Sequence, residues 1–292
     1  MTQFVQAVAL GLLIGGVYAL MASGLTLIFG VMRIVNITHG AFLVLVALAT
    51  WWLWRRTGVD PIMAAVVTTP LMAGLGWLIH RLLVSRVKDA SPAMSVLLTF
   101  GLALIIEGLL TIIAGNRFRS ATPPYFEESF GIGAISLPKA QVFGFLAAVL
   151  VLGALYGVLT GTWTGRAIRA ATQNPAGAAL VGVGASGTAA LAFALGTATA
   201  GVGGSILSVL YPFFPASHYE WISKLLGIVV LGGMGSLPGA LAGAVMLGLA
   251  ETLTATYGSL TWSTLVFYLV IMVVLLFRPQ GLFGARIRED AA

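Results

Sequence analysis

Long apolar runs follow one another through most of this chain, and no water-soluble fold can bury that many of them. They cover 4–29, 40–54, 61–80, 92–115, 140–161, 186–205 and 261–277, each on the scale of the about 20 residues that cross a bilayer as a helix. A further apolar stretch, 221–256, is too long for one simple span and is interrupted by "LGGMGSLPG" at 231–239. It reads as two shorter passages joined at a Gly/Pro break. With 59% hydrophobic and 8% charged residues, the chain has too few charges to cover a soluble globule of its size. Its 37 glycines suit helices that pack backbone to backbone in lipid. The expected fold is all-α: a polytopic transmembrane bundle of eight to nine passages, some of them broken, forming one domain over 1–292.

The same composition excludes several chemistries. There is no cysteine, so no disulfide framework, thiolate metal site or cysteine nucleophile. The only lysines are Lys88, Lys139 and Lys224, and none sits in a G-x-x-x-x-G-K-[ST] loop, so the chain has no P-loop for ATP. His39, His80 and His218 are far apart in sequence, with no H-E-x-x-H, which leaves no metal centre to argue for. No G-x-S-x-G appears either. An enzyme is not expected.

The N-terminus "MTQFVQAVALGLLIGGVYAL" lacks a positive leader region and reads as a retained first span. The net charge of +6 comes largely from arginines that flank spans, so it speaks of topology rather than of nucleic acid. Placing 165–183 on the cytoplasmic side collects nine basic residues there: Arg33, Arg81, Arg86, Lys88, Arg166, Arg169, Arg278, Arg286 and Arg288. Six fall outside: Arg55, Arg56, Arg117, Arg119, Lys139 and Lys224. The longest polar connection, 116–138, then faces outward, as a solvated loop or as a contact for an extracytoplasmic partner.

Four polar features interrupt the apolar sequence. In "FGVMRIVNITHGAFLVL" (29–45), Arg33, Asn36, Thr38 and His39 either line a solute path or form a tight cytoplasmic turn. Gly232, Gly233, Gly235 and Pro238 in the 231–239 break either expose backbone to a passing solute or pack helices closely. Together the two regions suggest an inverted repeat. Glu107, inside "LALIIEGLLTII", reads as an intramembrane anchor between helices rather than a solute ligand; Glu251 lies nearer a span end and receives no role. "GRAIRAATQNPAGAALVGV" (165–183) reads as a helical elbow. Arg166 and Arg169 share one side of its first helix, and Asn174–Pro175 cap a second short one. Small residues at Ala170, Ala171, Ala176, Gly177, Ala178 and Ala179 would let another protein close around it; the alternative is an amphipathic linker on the headgroups. A single Asn-Pro-Ala does not make a water channel.

Taken together, "GGVYALMASGLTLIFGVMRIVNITHGAF" (15–42), the elbow, "VLGGMGSLPGALAGAVMLGLAE" (230–251) and "RPQGLFG" (278–284) resemble one family across essentially the full chain. This is the family of membrane permeases of ABC importers for branched-chain amino acids, whose relatives also serve urea, amides and aromatic acids. The resemblance implies a bacterial-type cytoplasmic membrane and transport by alternating access. It also implies a second homologous permease in a heterodimer, two ABC ATPases that use ATP and Mg, and an extracytoplasmic solute-binding protein. This chain itself would hold no cofactor. Its elbow is similar to the coupling loop of such importers, which implies that Gly165, Arg166, Arg169, Ala170, Ala171, Asn174, Pro175 and Gly177 meet an ATPase. Arg169-Ala170-Ala171 stands where such loops often begin Glu-Ala-Ala.

Overall fold

The computed structural model describes residues 1–87 and 92–284; Lys88, Arg286 and Arg288 of the sequence-based charge count lie outside them. The chain forms α1 (Thr2–Met32), α2 (Thr38–Thr57), α3 (Ala65–Leu82) and α4 (Pro92–Ala114), then a hairpin of β1 (Ser129–Ile132) and β2 (Ile135–Pro138). α5 (Lys139–Gly161), α6 (Trp163–Gln173) and α7 (Pro175–Leu180) follow, and then α8 (Ala185–Leu210), α9 (His218–Gly232), α10 (Leu237–Tyr257) and α11 (Leu260–Phe277). Among the described residues, seven helices are long and apolar enough to cross a membrane: α1, α3, α4, α5, α8, α10 and α11. Nine passages were expected; the other two expected runs become α2, with Thr38, His39, Arg55 and Arg56, and α9, with 15 residues, neither of which is long and apolar enough to count with the seven.

Span ends moved where local chemistry overrides hydropathy. The span expected at 61–80 becomes helical only at Ala65, because the Asp60 carboxylate accepts from the backbone N–H groups of Ile62 (2.8 Å) and Met63 (3.2 Å) and holds a turn. The 116–138 connection is more than a solvated loop. Its second half is the hairpin, tied down by Gln6 donating to the Ser136 carbonyl at 3.2 Å, and its first half pairs Arg119 with Phe213. Burial and the nearby Asp60 carboxylate push the Tyr125 phenol of this layer above its ordinary pKa.

α1 and α8 form the buried centre. They run antiparallel and touch through glycine: a Cβ on Gly24 would stand 2.2 Å from the Gly196 carbonyl oxygen. α1 also lies antiparallel along α10, where a Cβ on Gly248 would be 2.7 Å from the Gly11 oxygen and from the Gly15 Cα. α8 lies along α3 in the same way, with Gly201 against the Thr68–Thr69 backbone and Gly76 against Thr197. The two halves thus exchange partners: α1 takes α10, and α8 takes α3.

This exchange is that of an inverted repeat. Each half has a long buried helix, a short segment outside the α-helices, a helix with histidine in its first turn (His39 in α2, His218 in α9), and two further helices. The sequence paired the wrong breaks. The segment matching 33–37 is 211–217, between α8 and α9, whereas 231–239 is the tight turn joining α9 to α10. Hydropathy marks 231–239 by its glycines but passes over "YPFFPAS", whose aromatic residues read as apolar.

Candidate functional site

The α1–α2 connection does not turn at the membrane surface. Arg33 closes α1 in the left-handed conformation at φ 56°, its N–H donating to the Phe29 carbonyl at 2.8 Å. The next residues lead back along the bundle, because His39 Nε2 lies 3.0 Å from the carbonyl oxygen of Met21. Met21 precedes the α1 end at Met32 by eleven residues, about 16 Å of helix. α2 therefore begins deep in the bundle, which removes the tight-turn alternative. Arg33 stays exposed at the surface, apart from Asn36, Thr38 and His39, which are fully buried.

α4 holds this buried start. The Thr38 hydroxyl donates to the Thr99 carbonyl at 2.6 Å, and the Thr99 hydroxyl accepts from the Ile37 N–H at 3.3 Å. From the other side comes α9: a Cβ on Gly40 would be 2.6 Å from the His218 carbonyl oxygen and 2.9 Å from Ile222 Cβ, so the two helix starts meet backbone to backbone. Several polar atoms here find no partner among the described residues, namely both ends of the Asn36 amide, His39 Nδ1 and His218 Nδ1. An amide held away from water without a hydrogen bond costs about 2–7 kcal/mol.

Glu107 of α4 closes the same region. Its Oε2 accepts from His218 Nε2 and from the Tyr219 hydroxyl, both at 3.0 Å, which ties α4 to the start of α9. The glycine break lies elsewhere. Gly235 faces Gly30 at the inner end of α1, and the carbonyls of Leu231 and Gly232 accept from Leu282 (2.8 Å) and Phe283 (3.0 Å) of the "RPQGLFG" segment. Gly232 and Gly233 are buried in this packing; Pro238 opens α10 on the surface. The structure does not bring Gly232, Gly233, Gly235 and Pro238 together with Asn36 and His39, and the close-packing alternative accounts for them.

The elbow is built on the end of α5. Thr162 caps α6 by accepting from Gly165 N–H at 3.1 Å, and a Cβ on Gly165 would be 2.3 Å from the carbonyl oxygens of Val158 and Leu159. No side chain fits there. The Arg169 guanidinium donates to the Leu159 carbonyl, while Arg166 lies over the Trp163 ring at 5.4 Å. The two arginines thus differ: Arg169 locks the elbow to α5, and Arg166 faces out. Asn174 caps α7 by accepting from Gly177 N–H at 2.9 Å, with Pro175 following. Ala171 and Ala178 are buried within the chain and Ala170 and Gly177 are half-buried, so Ala176 and Ala179 are the small residues left fully open. The sequence missed the large side chains beside them: Trp163 is 72% exposed, Leu180 90% and Val181 77%. Their signal was three bulky apolar residues at the edges of an otherwise polar or small-residue segment.

A second cluster was also missed. Lys224, counted among the outer loop charges, is inside α9 and only 5% exposed. Its Nζ lies 3.2 Å from Glu251 Oε1 of α10 and 3.6 Å from Glu220 Oε1, over the rings of Tyr18, Trp221 and Phe267. The Tyr18 hydroxyl donates to Glu251 Oε2 at 2.8 Å. Glu251 therefore has a partner to hold, and the outer basic count drops from six to five, which sharpens the asymmetry.

Comparison with known proteins places the chain among transport permeases. The chain is 28% identical to the high-affinity branched-chain amino acid transport system permease protein LivH of Escherichia coli, over 96% of each chain. It is 26% identical to the corresponding permease BraD of Pseudomonas aeruginosa, again over 96% of each. A probable branched-chain amino acid transport permease LivH of Methanocaldococcus jannaschii is 24% identical over 91% of this chain and 88% of that one. No solved structure matches. The family model of the branched-chain amino acid transport system permease component matches residues 7–276, and this multi-pass membrane chain belongs to that family of transport subunits.

Proposed function

We propose that this chain is one membrane subunit of an ATP-driven ABC importer that passes a branched-chain amino acid, or a related small solute such as urea, an amide or an aromatic acid, by alternating access. A second homologous permease completes the pathway in a bacterial-type cytoplasmic membrane. Two ABC ATPases bind ATP and Mg, and an extracytoplasmic binding protein delivers the solute. The observation that carries this reading is the elbow. It presents Trp163, Leu180 and Val181 outward beside Arg166 while its own base is locked to α5, and an exposed apolar knuckle on a fixed mount is suited to a groove in another protein.

The chain has no P-loop, so the free energy that separates inward- and outward-facing states comes from partners bound at that knuckle. Asn36 and His39, at the buried start of α2, and His218, at the start of α9, supply polar groups to a solute between the two sides. The test is co-purification with the candidate ATPases and second permease, then ATP hydrolysis in liposomes with and without leucine-loaded binding protein. Stimulation by loaded binding protein, lost together with ATPase association in Leu180→Asp/Arg166→Glu, supports the reading. Solute movement by this chain alone along an ion gradient refutes it and makes the protein a secondary carrier.

A further inference from the structure

The contacts that anchor Glu107 between α4 and α9 use only one of its two oxygens. His218 and Tyr219 both donate to Oε2, and no described residue donates to Oε1. The side chain is not sealed in the bundle either: 21% of it is exposed, and Tyr219 beside it is 43% exposed. Glu107 lies seven residues inside the α4 end at Ala114, about 10 Å into the span. A carboxylate at that depth does not face hydrocarbon.

Its surroundings continue the same surface. Along α9, Tyr219 is followed by the exposed Glu220 and Ser223, and Ser223 accepts from the Tyr268 hydroxyl at 3.0 Å, near the middle of α11. Glu107, Tyr219, Glu220, Ser223 and Tyr268 thus form a polar stripe across three helices at membrane depth. Its charged members, Glu107 and Glu220, are both acidic. Lys224, buried beneath, pairs with Glu251 at 3.2 Å and reaches Glu220 at 3.6 Å, so Glu107 is the carboxylate of the stripe that no lysine or arginine pairs with among the described residues. Such a stripe is complementary to a cation that carries its own hydrogen-bond donors.

Resting on the importer reading above, we propose that this α4–α9–α11 stripe is a wall of the solute path and that Glu107 Oε1 receives the α-ammonium group of the passing amino acid. Tyr219 and His218 hold the carboxylate so that its second oxygen faces the path. The apolar surface of Leu104 and Phe100, one and two turns along α4 and both exposed, lies alongside for an aliphatic side chain. The structure then selects for an ammonium-bearing solute over an uncharged one such as urea.

Glu107→Gln separates this role from an anchor, since the amide oxygen still accepts from Tyr219 while the charge is gone. The complex with its second permease and ATPases is reconstituted in liposomes and supplied with binding protein and radiolabelled leucine. The expected result is normal assembly with leucine uptake reduced at least tenfold in Glu107→Gln, and less than threefold in Tyr219→Phe, which removes one donor and keeps the charge. Leucine uptake within twofold of the parent in Glu107→Gln overturns the inference. So does loss of the second permease from that variant, which assigns the charge to a partner contact. A parent complex that carries urea, an amide or an aromatic acid but no amino acid also overturns it and leaves the importer reading standing. A parent that carries none of these takes both down.

Discussion

The buried Lys224–Glu251 pair makes a quantitative claim about stability. At 3.2 Å and an effective dielectric constant of ~20, the two charges attract by about 5 kcal/mol, most of which offsets the cost of desolvating them. Removing one partner leaves the other charge buried without compensation, at about 3–5 kcal/mol. Glu220, 3.6 Å from Lys224, is 62% exposed and well hydrated, so it replaces little of the lost attraction. Glu251→Gln keeps an acceptor for the Tyr18 hydroxyl and removes only the charge, so the low end applies: about 3 kcal/mol, or roughly 6–12 °C in melting temperature. Adding Lys224→Met removes the stranded cation and recovers most of the loss, a favourable coupling of about 2 kcal/mol in a double-mutant cycle. The assay is thermal unfolding of the purified chain in detergent, followed by tryptophan fluorescence, to which Trp221 in the cage contributes. A Glu251→Gln protein that melts within about 2 °C of the parent, or a double variant as unstable as the sum of the singles, refutes the reasoning.

Other substitutions probe separate contacts. Gly248→Ala pushes a methyl group against the Gly11 oxygen and Gly15 Cα and lowers stability by about 1–3 kcal/mol, whereas Gly153→Ala in α5, where a Cβ meets open space, does not lower it; melting curves compare the two. Asn36→Leu removes a buried amide without protein partners, so the variant melts higher than the parent while its reconstituted complex loses solute uptake. Leu180→Asp lies on a side chain that packs on nothing in this chain. It changes the melting free energy by less than about 0.5 kcal/mol and removes ATPase association in a pull-down.

The division between what could be read and what could not follows physical lines. Membrane spans were legible because hydropathy is a local property, and the elbow was legible because its cap at Asn174 acts on an N–H group three residues away; the Thr162 cap, outside the segment singled out, was not read. Lys224 was misplaced because its partner, Glu251, is 27 residues away on another helix; only the folded chain shows that the two charges compensate. The depth of α2 was hidden for a similar reason. A polar run such as Arg33–His39 can turn at a surface or re-enter a bundle, and the contact that decides is the Met21 carbonyl facing His39. Glycine misled in the opposite direction, since the most glycine-rich break, 231–239, is a closely packed turn whose free carbonyls are taken by the C-terminal segment.

In the proposed importer, the elbow and the buried start of α2 have to be mechanically joined, and the packing offers a short route. Ile168 of α6 is buried against Leu27 of α1 and against Leu155 and Leu159 of α5, with Val31 and Leu237 alongside. Gly165 and Arg169 fix α6 to the end of α5, so a force on Leu180 displaces α5 and the inner part of α1 before it deforms the elbow. Six residues farther along α1, the Met21 carbonyl receives His39, and a shift of α1 there bears directly on Asn36 and its neighbours. Ile168→Ala cuts this route where α6 packs on α1 and α5. Its stability cost is about 2–4 kcal/mol, while Trp163, Leu180 and Val181 remain available for docking. The expected outcome is a complex that still binds its ATPases but whose ATP hydrolysis no longer rises with loaded binding protein. Full stimulation in an assembled Ile168→Ala complex would place the transmitting contact elsewhere, with α5 alone as the next element to test.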